Sequence, residues 1–347
     1  ATSTRQPTPP ATAAGWRTAF STTSLGGPNM VFAPSDPHVA YLCNGFPTGS
    51  TTLLFSSDGG ATFQVDQFHK KLPAAGQCQL SVDPTDPRDV AVSLQTSSSS
   101  TDLYRSRDGG LSWQAQPLGG LSVMAMGWQD ATLWATAAAE DSGGPGLTEL
   151  WVSRNGGVMT EVDQNGSVPS GVSLTDQGHA ALITGHDATV YMVFGQTTTQ
   201  PISETTIRSV DNGATWTPMK FMDGAQVVDV VTTTPDAKTL VGVYDSQNSQ
   251  VVVSHDDGAD WQKLAAAPNG VSAFDSIWAT PDGSVLAVSS QYGLAQNPDD
   301  NLYELSPGAS SWSVALSIPP TVYAVAVSWD AGGKPLALWA TGALNAA

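Results

Sequence analysis

Ser209-Val210-Asp211-Asn212-Gly213-Ala214-Thr215-Trp216 decides how the rest of the chain is read. It is a turn, and it recurs. Ser56 to Phe63, Ser106 to Trp113 and Ser254 to Trp261 are close copies, with Asp58, Asp108 and Asp256 at the third place and Gly60, Gly110 and Gly258 at the fifth. A degenerate copy at Ser153 to Thr160 has Asn155 and Gly157 in those places. A sixth stretch, Leu305 to Trp312, keeps the turn-prone residues and the tryptophan. The copies follow one another at intervals of about fifty residues, and a fixed period of that size marks a repeat architecture.

The chemistry is that of a tight hairpin. An Asp at the third place accepts backbone N–H groups ahead of it in an Asx-type turn. Gly213 and its counterparts permit positive φ. The Ser and Thr hydroxyls bond across the turn, and the closing aromatic starts the next strand, large enough to fill space between layers. A short apolar strand precedes each turn, as in Thr52–Phe55, Glu149–Val152 and Gln250–Val253. Before that come two more, joined by Pro/Asp/Gly turns: Val39–Cys43, Val90–Leu94, Thr132–Thr136, Val190–Phe194, Thr239–Tyr244 and Val285–Ser289 are the second strands.

The pattern Ser-x-Asp-x-Gly-x-Thr-Trp resembles the Asp-box (BNR) repeat of β-propellers of the sialidase, xyloglucanase, sortilin and photosystem-assembly-factor kind. The resemblance implies an all-β fold of four-stranded antiparallel blades. It also implies that the box residues are structural and lie away from the binding face. Six repeats are visible. Two further strands, Val322–Val327 and Pro335–Trp339, join the strand-like Gly15–Phe20 to predict a seventh blade closed by an N-terminal strand. Seven blades are therefore expected, six being the other count. Residues 1–14, rich in Thr, Pro and Ala, read as an extended tether, and residues 15–347 as one domain.

Composition narrows the function. A net charge of −18 with only 13 Lys and Arg excludes the basic footprint that nucleic acid or an anionic membrane needs. No apolar stretch reaches the roughly 18 residues of a membrane helix, and no signal-peptide pattern is visible. The low charge and the wealth of Gly, Ser, Thr and Pro suit an exported or cell-surface protein. Cys43 and Cys78 fall at neighbouring strand ends, either as a disulfide, the preferred reading, or as two buried thiols.

Aligning the blades on their first hairpin places one residue of each at the mouth of a central channel: Asn29, Gln79, Ser122, His179, Asp229, Asp275 and Tyr323. Such a polar ring is either a ligand or ion site or the solvated wall of a channel. The loops after the second strands carry Glu140, Asp141, Glu204, Asp245, Asp299 and Asp300, from which a glycosidase would need a pair roughly 5 to 9.5 Å apart.

The sialidase constellation is missing. There is no Phe-Arg-Ile-Pro segment, and Arg105, Arg107, Arg154 and Arg208 lie in or beside boxes. The five histidines are dispersed, and no zinc spacing, phosphate loop or nucleophile elbow is present. The sequence thus predicts a non-catalytic binding or assembly module for a protein or glycan, without metal or cofactor. A glycoside hydrolase or lyase is the alternative. Self-association through residues 1–14 is a third.

Overall fold

The computed structural model describes residues 29–44, 52–63, 72, 74, 76–97, 100–138, 148–162, 180–183, 185, 187–195, 204–218, 232–233, 239–244, 250–268, 271, 274, 276–280, 282–288, 301–317, 322–329 and 335–342. Within them the chain is built from antiparallel sheets taken strictly in sequence order. The first contains β1 (Asn29–Ala33), β2 (Asp36–Asn44) and β3 (Thr52–Ser56). The second has β4 (Gln77–Val82), β5 (Val90–Ser97), β6 (Ser100–Ser106) and β7 (Gln114–Ala115). The third has β8 (Ser122–Gln129), β9 (Thr132–Ala138), β10 (Thr148–Ser153) and β11 (Thr160–Glu161).

The fourth sheet has β12 (Ala180–Ile183), β13 (Val190–Gly195), β14 (Glu204–Ser209) and β15 (Thr217–Pro218). The fifth has β16 (Thr232–Thr233), β17 (Leu240–Tyr244), β18 (Gln250–Ser254) and β19 (Gln262–Lys263). The sixth has β20 (Ser276–Ala279), β21 (Val285–Val288), β22 (Asn301–Leu305) and β23 (Ser313–Ser317). The last pairs β24 (Val322–Trp329) with β25 (Pro335–Gly342).

Five complete four-stranded blades are present among the described residues, which corrects the seven, or six, expected from the repeat count. The reason is physical. A box guarantees a hairpin after the third strand and no more: the first sheet has its box but no described fourth strand. The last sheet has an inner pair and no box.

Sheets pack on one another through their inner strands, β1 on β4, β4 on β8 and β8 on β12, and the second strands between them are deeply buried. That is why Val90-Ala91-Val92-Ser93-Leu94 reads as a continuous apolar run instead of an alternating one. The core is divided among the joints. Tyr41, Leu80, Val92 and Leu94 fill the first. Leu103, Leu118, Trp128 and Leu133 fill the second, and Trp134, Leu150, Met192 and Trp216 the third. Phe274, Ile277, Tyr303 and Trp312 join the fifth sheet to the sixth. Each such side chain, fully buried, contributes about 1.5–3 kcal/mol. β1 also packs beside β24, bringing the first sheet against the last. A disulfide links Cys43 on β2 to Cys78 on β4, with Cα atoms 6.2 Å apart.

Candidate functional site

The boxes define one face. In the first, the Ser56 hydroxyl donates to Asp58 (2.7 Å) and accepts the Gly60 N–H (2.7 Å), while the Thr62 amide and hydroxyl donate to the Asp58 carboxylate (2.8 and 2.6 Å). The boxes at Asp108 and Asp211 repeat every one of these bonds. Three boxes are also tied to the first hairpin of their own sheet. Gly59 donates to the His38 carbonyl, Gly109 to that of Arg88 and Asn212 to that of Ala188. Boxes and first hairpins therefore share a face, and the inner strands begin at the opposite end.

Two boxes depart from the pattern. At Asp256 the seventh residue is Asp260, which supplies its amide and no hydroxyl. In the degenerate copy positive φ falls on Asn155 and Gly156, one residue earlier than in the others, so Gly157 is not in the left-handed region. With no carboxylate to serve, the Ser153 hydroxyl donates to the Gly157 carbonyl.

Hydrogen bonding sets the charge on this face. The Thr215 hydroxyl, then its amide and the Ser209 hydroxyl, hold the Asp211 carboxyl below the ordinary carboxylate range. At Asp256 the Asp260 amide leads, followed by Ser254. Burial pushes Asp58 and Asp108 upward, but the bonds from Thr62 and Ser56, and from Ser112 and Ser106, outweigh it and leave both lowered. These carboxylates are committed to their own turns.

Three arginines are spent between sheets. The Arg105 guanidinium lies over the Trp128 ring at 4.9 Å and donates to Asp89 in its own sheet and to Ser153 in the next (2.8 Å). Arg154 lies over Trp134 and donates to the Asn212 carbonyl (2.9 Å). Arg208 donates to the Asp257 carbonyl (2.7 Å). Neutral groups work the same joints. The Tyr41 hydroxyl donates to the Pro87 carbonyl (2.8 Å), the Gln129 side-chain amide to Asn212 (3.0 Å), and the Tyr191 hydroxyl to Asp257 (3.4 Å). All these inter-sheet bonds run from one sheet to the next along the chain. Their partners are far apart in sequence, so the motif itself gave no sign of them.

Of the residues that the sequence assigns to the channel mouth, four lie on described inner strands, which begin at the opposite end. Asn29 opens β1, and Gln79 is an exposed residue of β4, the innermost strand of its sheet. Ser122 opens β8 but is buried, and its hydroxyl oxygen accepts the Thr101 N–H from the preceding sheet (3.2 Å), so it sits in a joint. Tyr323 lies in β24, opposite no residue of β25. His179, Asp229 and Asp275 lie outside the described residues, as do Glu140, Asp141, Asp245, Asp299 and Asp300. One residue the sequence did not single out stands here: Met124, on β8, is 41% exposed. Its signal was a long apolar side chain two places beyond a predicted mouth residue.

No family model matches the chain, and no curated protein matches it. Solved structures do. The chain is similar to YCF48 bound to D1 peptide, with 14% identity over 86% of this chain and 85% of that one, at a TM-score of 0.54. The chain is a β-propeller. It is also similar to an ancestral GH74 enzyme, with 16% identity over 90% of this chain and 38% of that one, at a TM-score of 0.52. The Aleuria aurantia lectin in complex with α-methyl-L-fucoside is similar at 9% identity over 89% and 96%, at a TM-score of 0.51. At these identities the likeness establishes the propeller fold alone.

Proposed function

We propose that the chain is an exported or surface-displayed, non-catalytic binding or assembly module for a protein or glycan partner. On this reading the ligand is met at the end of the disc remote from the boxes. The observation that carries it is the division of labour between the two ends. On the box face the carboxylates of Asp58, Asp108, Asp211 and Asp256 are held by their own turns. The arginines Arg105, Arg154 and Arg208 are engaged between sheets, which leaves them out of any substrate clamp. The inner strands instead begin with exposed neutral groups such as Gln79 and Met124. Similar propellers include one bound to a peptide and one in complex with a fucoside. The Cys43–Cys78 disulfide supports an oxidising compartment.

The same reading takes residues 15–347 as one propeller domain with residues 1–14 as its tether. The packing of β1 beside β24 favours a closed ring. Closing the ring protects the edges that an open array exposes.

The test combines peptide and glycan binding arrays with a turnover panel of sialosides and polysaccharides. Binding without turnover is expected. Turnover abolished by Asp229→Asn or Asp275→Asn would overturn the reading in favour of a glycoside hydrolase or lyase.

A further inference from the structure

We infer that Asn155 is a self-modifying residue: the Gly156 backbone nitrogen attacks its side-chain amide, which is lost, and a carboxylate takes its place on the box face. The site is the degenerate box, and the reagent is water.

The glycine amides carry the inference. An Asn or Asp followed by Gly closes readily to a five-membered imide, because glycine has no β-carbon to obstruct the approach. A hydrogen-bonded N–H is held back from that attack. Six such pairs occur among the described residues: Asp58-Gly59, Asp108-Gly109, Asn155-Gly156, Asn212-Gly213, Asp257-Gly258 and Asp282-Gly283. Gly59 donates to the His38 carbonyl (2.8 Å), Gly109 to that of Arg88 (2.8 Å) and Gly283 to that of Thr280 (2.9 Å). Gly213 and Gly258 donate to the Ser209 and Ser254 hydroxyls, both at 2.8 Å. The Gly156 N–H has no hydrogen-bond partner among the described residues. The cause is the shifted turn. With positive φ on Asn155 and Gly156, the N–H that turns back is that of Gly157, onto the Arg154 carbonyl (3.0 Å).

Asn212-Gly213 is the internal comparison. Asn212 has the same left-handed backbone, φ 57° against 55° at Asn155, and is likewise exposed. Yet its side-chain oxygen accepts the Gln129 amide (3.0 Å), and its carbonyl accepts the Arg154 guanidinium (2.9 Å). The Asn155 side chain has no hydrogen bond among the described residues. In the reaction the Gly156 nitrogen gives its proton to solvent and bonds to the Asn155 side-chain carbonyl carbon. The bond from that carbon to the amide nitrogen breaks, and ammonia leaves. Water then opens the ring at either carbonyl, giving an aspartyl or an isoaspartyl link with one more negative charge. The Arg107 guanidinium stands over this turn: a β-carbon on Gly156 would lie 2.6 Å from one of its nitrogens. A cation there eases loss of the Gly156 proton and faces the carboxylate that results. The aspartyl product also gives the degenerate copy the third-place carboxylate of the other boxes.

The experiment holds the full chain in mildly alkaline buffer and follows amide-to-acid conversion at each asparagine by peptide mapping and mass spectrometry. In the folded protein Asn155 is expected to convert at least about tenfold faster than Asn212, and in urea, where nothing restrains either glycine, at a similar rate. Ser209→Ala frees the Gly213 N–H and is expected to raise the Asn212 rate at least about threefold. Asn155→Gln, whose longer side chain would have to close a six-membered ring, should remove the acidic species that builds up on ion exchange. Equal rates for Asn155 and Asn212 in the folded protein overturn the inference. So does an Asn155 that keeps its amide in the folded chain, whether or not it converts in urea.

Discussion

The Arg105 guanidinium grips the Asp89 carboxylate with two parallel bonds of 2.8 and 2.7 Å, and the two side chains are only 3% and 6% exposed. A third nitrogen of the same group reaches Ser153 on the following sheet. The pair is thus a buried fork that also fastens one joint of the disc.

Removing one half of such a pair strands the other charge away from water. Arg105→Met is expected to cost about 3–5 kcal/mol, read as a fall in the urea midpoint at an unchanged slope. Arg105→Lys keeps the charge, loses the fork, and is expected to recover only part of that loss. A combined Asp89→Asn and Arg105→Met variant should be less destabilised than the sum of the single changes, because no buried charge is left unpaired.

The box carboxylates predict an acid-sensitive disc. A carboxyl lowered on folding stabilises above its unfolded value, near 4, and that stabilisation is lost as pH falls through the folded value. Asp58, Asp108, Asp211, Asp256 and Asp282 are all lowered in this way. Stability should therefore drop below about pH 4, and Asp211→Asn should make that drop shallower. Glu149 runs the other way: burial, then the nearby Glu161, raises its carboxyl, so its charge opposes folding at neutral pH. Glu149→Gln is expected to raise the urea midpoint at pH 7 and leave it unchanged near pH 3.

The Cys43–Cys78 bond closes a loop of sequence separation 35 between the first two sheets. For a loop of that size the unfolded-chain account gives about 3–4 kcal/mol. Reduction in denaturant followed by refolding with blocked thiols is expected to lower the midpoint accordingly. In the native protein both cysteines are buried, and a mild reductant should leave the bond intact, as free-thiol titration would register.

The hairpins were legible because their chemistry is local: an Asp, a Gly and a hydroxyl within eight residues dictate the same bonds in the copies at Asp58, Asp108 and Asp211. The lengths of the outer strands were not. Gln114–Ala115 and Thr160–Glu161 are two residues long and carry no period to read. The shifted turn at Asn155–Gly156 escaped notice because the alignment with Gly157 looks intact in letters and differs only in φ. Ser122 aligned with the mouth residues, yet its position in the joint depends on Thr101 in another sheet. Met124 was hidden for the opposite reason: an apolar residue in an apolar strand reads as core until the register slips beside it.

No two joints described between the first sheet and the fifth are fastened alike. The first uses a tyrosine hydroxyl on a carbonyl, the second a guanidinium on a serine, the third a glutamine and an arginine on one asparagine, the fourth an arginine and a tyrosine on one aspartate. Units that look interchangeable as sequence are therefore numbered in three dimensions. A gene duplication or deletion of one unit would bring together a lock and a key cut for different places, which makes this array a closed inventory instead of an extensible one.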